Sequence, residues 1–223
     1  AVARRLGSPP VLAFTATATI PTQRRILASL NIEGAEVFVR NVDRPNIAFL
    51  RISATGDADK LEHLARLLRM SRNGSAMIFV PTVKVGQTVS TELKASGIEA
   101  PFYHAKLRPS EREFLLKRFS REMQPSMDAI VCTNAFGMGL DVPDVRLVVH
   151  WQHPASIEDY LQEFGRAGRD GHQSLAVLFR TKHDRGLHRF MIKKTIDSAN
   201  FAPDEKEAVQ AQKLKALDDL HGL

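Results

Sequence analysis

Two arginines three residues apart, Arg166 and Arg169, each follow a glycine in the run Gln162-Glu163-Phe164-Gly165-Arg166-Ala167-Gly168-Arg169-Asp170-Gly171. A guanidinium group is planar and always charged, and its fork of donors can hold a phosphate through several hydrogen bonds at once. Glycines beside it keep the backbone slim, so the side chain can project toward its target. An arginine that reaches a terminal phosphate stabilises charge on a phosphoryl group in transfer. A bare Gly-x-Gly-Arg would be an ordinary turn with solvated charges. Ten residues in this order, at the end of a strand–helix series, point to phosphate chemistry instead.

A second run, Thr133-Asn134-Ala135-Phe136-Gly137-Met138-Gly139-Leu140-Asp141-Val142-Pro143, follows an apolar stretch that ends at Cys132. A glycine-rich loop after a strand brings backbone N–H groups close to a phosphate or sugar. Asp141 is then placed to accept a hydrogen bond from a ribose hydroxyl; capping a plain turn is the alternative. His150 and His153 flank Trp151, but no third ligand stands near them, so no metal site is expected. Trp151 is expected to pack or stack beside the glycine-rich run.

These segments must be carried by regular elements, and the hydrophobic pattern supplies them. Apolar runs at 10–14, 36–39, 46–52, 76–80, 100–103, 127–133, 145–150 and 174–179 read as strands. Helical spacing separates them: Ile26, Leu27 and Leu30 after a Thr19 cap, Leu61 to Leu68 within 59–70, a helix over 84–96 closed by Gly97, Phe114 to Phe119 within 109–121, and a helix from Ser156 to about Phe164. Strands separated by single helices predict an α/β fold, a mainly parallel sheet with helices on both faces. In such sheets the chemistry is expected on loops at the carboxyl ends of strands. Past Phe179 the pattern turns helical, over 181–196 and 204–220, with Leu214, Leu217 and Leu220 on one stripe suited to packing on a neighbouring domain.

Composition sets the outer bounds. The 223 residues suffice for one sizeable domain with trimmings, and 31 Lys and Arg against 25 Asp and Glu give a net charge of +6, a mild bias toward an anionic partner. The single cysteine, Cys132, excludes an internal disulfide and a cysteine-rich zinc site, and reads as a buried strand thiol. No apolar stretch approaches the length of a membrane span, and the N-terminus lacks a signal core, so a cytoplasmic protein (nucleoid-associated if bacterial) is expected. The chain opens at Ala1 directly into a loop and strand, which reads as a piece of something longer.

Residues 133–143 resemble motif V of superfamily 2 helicases and 162–171 resemble their motif VI, with Ala135-Phe136-Gly137-Met138-Gly139 in the RecQ form. Phe14 to Thr19 is similar to motif III, Asp43-Arg44-Pro45-Asn46-Ile47 to the RecQ signature that opens the second motor domain, and Ala76 to Thr82 to motif IV. Tyr103-His104-Ala105 resembles the element that follows. The chain is thus identified as a member of the RecQ helicase family, with a RecA-like fold. The resemblance implies that 1–40 is the trailing strand and helix of a first RecA-like domain with a linker. It makes 41–181 the second RecA-like domain, with a C-terminal helical extension, 182–223, as the start of the zinc-binding and C-terminal region.

The resemblance also implies roles. Arg166 and Arg169 would meet ATP across a cleft, Arg169 as the main finger, with Gln162 linking that site to the nucleic-acid side. Gly139 and Asp141 would approach the nucleotide. Thr82 and Thr133 would hold phosphates of a single strand, with His104 and Arg108 as further contacts. Lys106 stands where the family usually has glycine. No Gly-x-x-x-x-Gly-Lys-Ser/Thr loop and no Asp-Glu-x-His occur, so the phosphate cradle and the Mg²⁺ ligands are expected on the partner domain of the same parent chain. The family's zinc cysteines and winged helix are absent as well, leaving zinc possible in the parent but not in this chain.

The expected function is therefore half of an ATP-driven, 3′ to 5′ DNA helicase that grips single-stranded or partly duplex DNA and does not hydrolyse ATP alone. Two alternatives stand beside it: a nucleic-acid-binding or regulatory module that keeps the fold without ATP, and an RNA helicase of the DEAD-box kind. The glycine–arginine run disfavours the first, and the Phe-Gly-Met-Gly form disfavours the second.

Overall fold

Six of the apolar runs become strands because each finds at least one neighbour to pair with, and all six pair in parallel. The computed structural model describes residues 7, 10–15, 20–39, 43–71, 74–134, 136, 142–154, 157–181 and 211. In chain order the elements are α1 (Ile20–Leu30), β1 (Ile47–Ser53), α2 (Asp57–Met70), β2 (Ser75–Phe79), α3 (Val83–Ala95), β3 (Phe102–Tyr103), α4 (Pro109–Phe119), β4 (Ala129–Cys132), β5 (Val145–His150), α5 (Ile157–Phe164) and β6 (Ser174–Arg180). The chain divides into two compact units, Ala1–Asp43 and Arg44–Leu223.

In the second unit the strands lie in the order β1-β6-β5-β2-β4-β3. Alternation along each strand splits the core in two. Met77, Phe79, Ile130, Cys132 and Val148 pack on one face with Phe119 and Leu115 of α4 and Tyr160 and Phe164 of α5. Ala76, Ile78, Ala129, Val131 and Val149 pack on the other with Leu64 of α2 and Val89 and Leu93 of α3. Full burial of side chains such as Ile78 or Phe179 stabilises the fold by about 1.5–3 kcal/mol each. This is the expected parallel α/β sheet with helices on both faces.

The chain leaves β2 toward the β3 edge but leaves β5 toward β6, so the connections diverge between two neighbouring strands. At such a point loops part and open a crevice at the carboxyl ends.

Several expectations change. Residues 10–14 and 36–39 are not strands, because a strand exists only through a hydrogen-bonded neighbour and the described residues of the first unit offer none. α4 ends at Phe119 rather than Arg121, whose φ of 64° takes the chain out of the helix. Trp151 does not pack with the described core residues of the glycine-rich run, Phe136 and Val142. It lies on the α2–α3 face, edge-on to Phe179 and beneath the Lys60 ammonium, whereas Phe136 of that run is buried on the opposite face. The Thr19 and Ser156 caps and nearly all of the expected C-terminal helices fall outside the described residues.

Candidate functional site

α5 runs back along the sheet and delivers residues 165–173 to the amino ends of β5 and β6. The expectation that the chemistry gathers at carboxyl ends therefore fails for the arginine loop. The Gly168 N–H donates to the carbonyl of Val145, where β5 begins, and Ser174, which opens β6, donates its hydroxyl to the same carbonyl.

The loop is held from three directions, twice through its backbone and once through the Asp170 side chain. Arg44 donates from Nη1 to the Gly165 carbonyl (3.0 Å) and from Nη2 to those of Ala167 (2.7 Å) and Gly168 (3.0 Å). Asn46 donates from Nδ2 to the carbonyls of Gly168 (2.9 Å) and His172 (3.0 Å). Arg146 of β5 forms a two-pronged ion pair with Asp170, with 3.0 Å from Nη1 to Oδ1 and a second, closer contact from Nη2 to Oδ2. These Arg146 hydrogen bonds, helped by the His172 N–H, hold the Asp170 carboxyl well below the usual carboxylate range.

Glycines of the loop are required by its packing or by its backbone, and a Cβ at Gly165 would already stand 2.6 Å from the Leu161 carbonyl oxygen. Gly168 has a φ of +54°, and a Cβ there would stand 2.5 Å from Asn46 Nδ2 and 2.7 Å from both His172 O and Ser174 Oγ. Gly171 has a φ of +82°, which L side chains rarely adopt. The glycines thus serve the loop's turns and its seating under Asn46, a more specific reason than a slim backbone.

The two arginine side chains line one narrow crevice with Met77, Phe119, Phe136, Val142 and Val145. Arg166 is partly buried and Arg169 exposed. Burial, and then the nearby charge of Arg169, push the Arg166 guanidinium down from its ordinary value, while Cys132 and Glu163 act the other way. Guanidinium stays charged in proteins. Two neighbouring cations favour an anion beside them, although the crevice, at about 10 Å³, is too small to enclose one. Gln162 lies on an exposed turn of α5 just before the loop.

Behind the loop, Glu163 Oε2 sits 2.9 Å from Nε2 of the buried His150, misaligned for a hydrogen bond. That imidazole stacks on Phe79 and meets Tyr160 edge-on. His150 is thus a core residue at the end of β5. Among the described residues no group of three or more His, Cys, Asp or Glu could hold a metal ion. Cys132 is buried, and burial pushes its thiol well up, as fits an inert strand cysteine.

The strand-contact candidates gather at the other end of the sheet. Thr82, His104 and Thr133 follow β2, β3 and β4, which are neighbours in the order β2-β4-β3. Thr133 donates its N–H to the Tyr103 carbonyl, placing Thr133 and His104 beside one rung. Thr82 caps α3, its hydroxyl accepting from the Val85 N–H at 3.2 Å. The Arg108 N–H donates to Glu111 Oε2 at the start of α4, leaving an exposed side chain. The His104 ring lies 4.8 Å from that of Phe102, which in turn rests on Gly86 of α3, where a Cβ would overlap it. The arginine loop and these residues are thus not brought together; a six-residue strand separates their ends by roughly 20 Å. Gly139 and Asp141 lie outside the described residues.

Sequence reasoning did not assign the clamp. Arg44 and Asn46 stood only within a signature run, and no spacing rule links them to carbonyls more than 120 positions away. Arg146 and Asp170 were likewise unpaired on paper.

The chain resembles known proteins in sequence and in fold. Residues 59–171 match the helicase conserved C-terminal domain family. The probable ATP-dependent DNA helicase RecS of Bacillus subtilis is 37% identical over 190 residues, covering 85% of this chain and 38% of that protein. The ATP-dependent DNA helicase RecQ of Pasteurella multocida is 34% identical over 211 residues, covering 94% of this chain and 31% of its own length. The chain thus spans about a third of the curated relatives it matches. Among solved structures, the C-terminal domain of the DEAD-box protein Dbp5 aligns with a TM-score of 0.55 at 27% identity, over 77% of this chain and 99% of that one. S. cerevisiae Dbp5 bound to RNA and ADP BeF3 aligns with a TM-score of 0.67 at 24% identity, over 90% and 54%, a likeness of fold. The chain belongs to the helicase conserved C-terminal domain family, among its RecQ-type members.

Proposed function

We propose that this chain is the second RecA-like motor domain of an ATP-dependent DNA helicase, working 3′ to 5′. In this reading 1–40 closes a first RecA-like domain, 41–181 forms the second, and 182–223 begins the zinc-binding and C-terminal region. The observation that carries it is the pair Arg166 and Arg169, cationic neighbours in one apolar-walled crevice on a loop whose backbone is tied down.

ATP with Mg²⁺, when bound between the two domains, supplies the phosphoryl group whose transfer to water drives the cycle. The residues present fit such a polyphosphate, since two neighbouring guanidinium groups offset its charge. Arg169, the more exposed, reaches the terminal phosphate as the main finger. Arg166 holds the adjacent charge, and Gln162 links the loop to the strand side. Gly139 and Asp141 approach the nucleotide. Thr82 and Thr133, with His104 and Arg108, hold single-strand phosphates at the opposite sheet end. The chain's own residues bind and orient; the phosphate cradle and the metal ligands belong to the first domain, so this chain does not hydrolyse ATP by itself.

The curated DNA helicases, at 34–37% identity, support DNA as the substrate over the RNA of the structural neighbours. The test is DNA-stimulated ATP turnover of the full-length protein, wild type against Arg169→Ala, at saturating ATP and DNA. A loss of about 10³-fold with binding retained is expected. Unchanged turnover would remove Arg169 from the chemistry and move the finger role to Arg166, and a full-length protein with no turnover at all would favour the binding module without ATP. Stimulation by RNA in place of DNA would overturn the substrate assignment.

A further inference from the structure

We propose that Arg44 and Asn46 are positioning residues for phosphoryl transfer, holding the arginine loop so that Arg166 and Arg169 meet their target. The inference rests on the nucleotide role proposed above for those two arginines.

Arg44 is the first residue of the second unit, and its side chain leaves the chain just ahead of the edge strand β1. Its guanidinium spans the carbonyls of Gly165, Ala167 and Gly168, one on each side of Arg166 and one immediately before Arg169. These carbonyls lie in the turns just past the end of α5, beyond its helical hydrogen bonding, where partly buried carbonyls draw donors from elsewhere. A planar fork holds several of them at once in one fixed geometry, which the compact, rotatable ammonium of a lysine does not reproduce. Asn46 completes the grip with two donations from one Nδ2, to Gly168 and to His172 across the turn. Its own carbonyl accepts the Ser174 N–H at 2.9 Å, so the same residue registers β6.

Pro45 stands between them. Its fixed φ limits the freedom of the short segment that presents both side chains. The peptide units that carry Arg166 and Arg169 are thus fixed in orientation by side chains more than 120 positions away, not by the loop's own contacts alone. A finger works only if its tip arrives within a fraction of an ångström of the developing charge. Misplacement by about 1 Å costs on the order of 10²-fold in rate. Neither Arg44 nor Asn46 needs to touch the nucleotide to control that tip.

The experiment uses the full-length protein bearing Arg44→Lys, with Asn46→Ala as a second variant should the first fail to fold. Each is measured for ATP turnover and KM, DNA affinity, and amide exchange over 165–172, alone and in an Arg169→Ala background. Arg44→Lys is expected to lower kcat about 10- to 100-fold, with KM and DNA affinity within about twofold. Exchange should quicken at Gly168 and Gly171 while β2 and β4 stay protected. In the Arg169→Ala background the further loss should shrink to less than about threefold, because the effect acts through Arg169. Unchanged loop exchange, or the same fold-loss in both backgrounds, overturns the proposal. If Arg169→Ala itself turns over normally, the nucleotide role fails, and loop exchange alone still decides whether Arg44 and Asn46 hold the loop.

Discussion

The two ends of the sheet are built on different plans. At the amino end, the arginine loop is held by side chains from the segment before β1 and from β5, both distant in sequence. At the carboxyl end, Thr82 and Arg108 are set by bonds to residues three positions away, at the starts of their own helices. Long-range clamps fix a side chain against the whole domain, whereas a local cap fixes it only against its own helix. The difference suits the proposed division of labour: charge stabilisation in phosphoryl transfer demands one geometry, while a flexible strand adapts to where it is gripped.

The largest effect expected on this comparison comes from Gly168→Ala. The substitution meets both a left-handed backbone and the crowding of Asn46, His172 and Ser174. It should cost about 3 kcal/mol of stability by urea denaturation, with early exchange confined to the amino-end loop. A loss below about 0.5 kcal/mol would mean that the loop is not clamped as described. At the carboxyl end, Thr82→Ala removes one cap and should cost about 1 kcal/mol. If the threonine also holds a strand phosphate, the salt dependence of DNA binding should flatten by about one phosphate contact. A deficit as large as that of Gly168→Ala would erase the distinction between the ends.

The smallest effect concerns acid. Asp170 is depressed chiefly by the Arg146 hydrogen bonds, so its contribution is fully present above the ordinary carboxylate pKa, about 3.9. It is lost as the pH falls through the lower folded value. Asp170→Asn should therefore narrow the stability loss below about pH 4 and leave the range from pH 5 to 8 flat. An equal acid response in wild type and variant would deny the Arg146–Asp170 pair its part in the clamp.

Much of this architecture was legible before any coordinates. Val, Ile and Phe runs separated by helical spacing mark all six strands of the second unit within a few residues, because hydrophobic period and burial are local signals. The runs at 10–14 and 36–39 misled for the complementary reason: an apolar stretch becomes a strand only where a neighbour exists to pair with it. Arg166 and Arg169 could be singled out because glycine and arginine at fixed spacing carry their own chemistry. Arg44 could not, since its three partners are backbone carbonyls, which no residue type announces. Nor could the reason for Gly168 be found on paper, for it lies in the approach of Asn46 from the far side of the chain. Trp151 parts from Phe136 and Val142 because adjacency in sequence says nothing about which sheet face a side chain takes.

The most direct test of the two-ended account is a side-by-side measurement of kcat for ATP at saturating DNA and of the Kd for single-stranded DNA, for Arg169→Ala and Thr133→Ala in the full-length protein. The account predicts a split. Arg169→Ala should lose turnover by about 10³-fold with DNA affinity kept, and Thr133→Ala should weaken DNA binding while keeping most of its turnover once DNA is saturating. Normal turnover in Arg169→Ala, or parallel losses of kcat and DNA affinity in both variants, would contradict it.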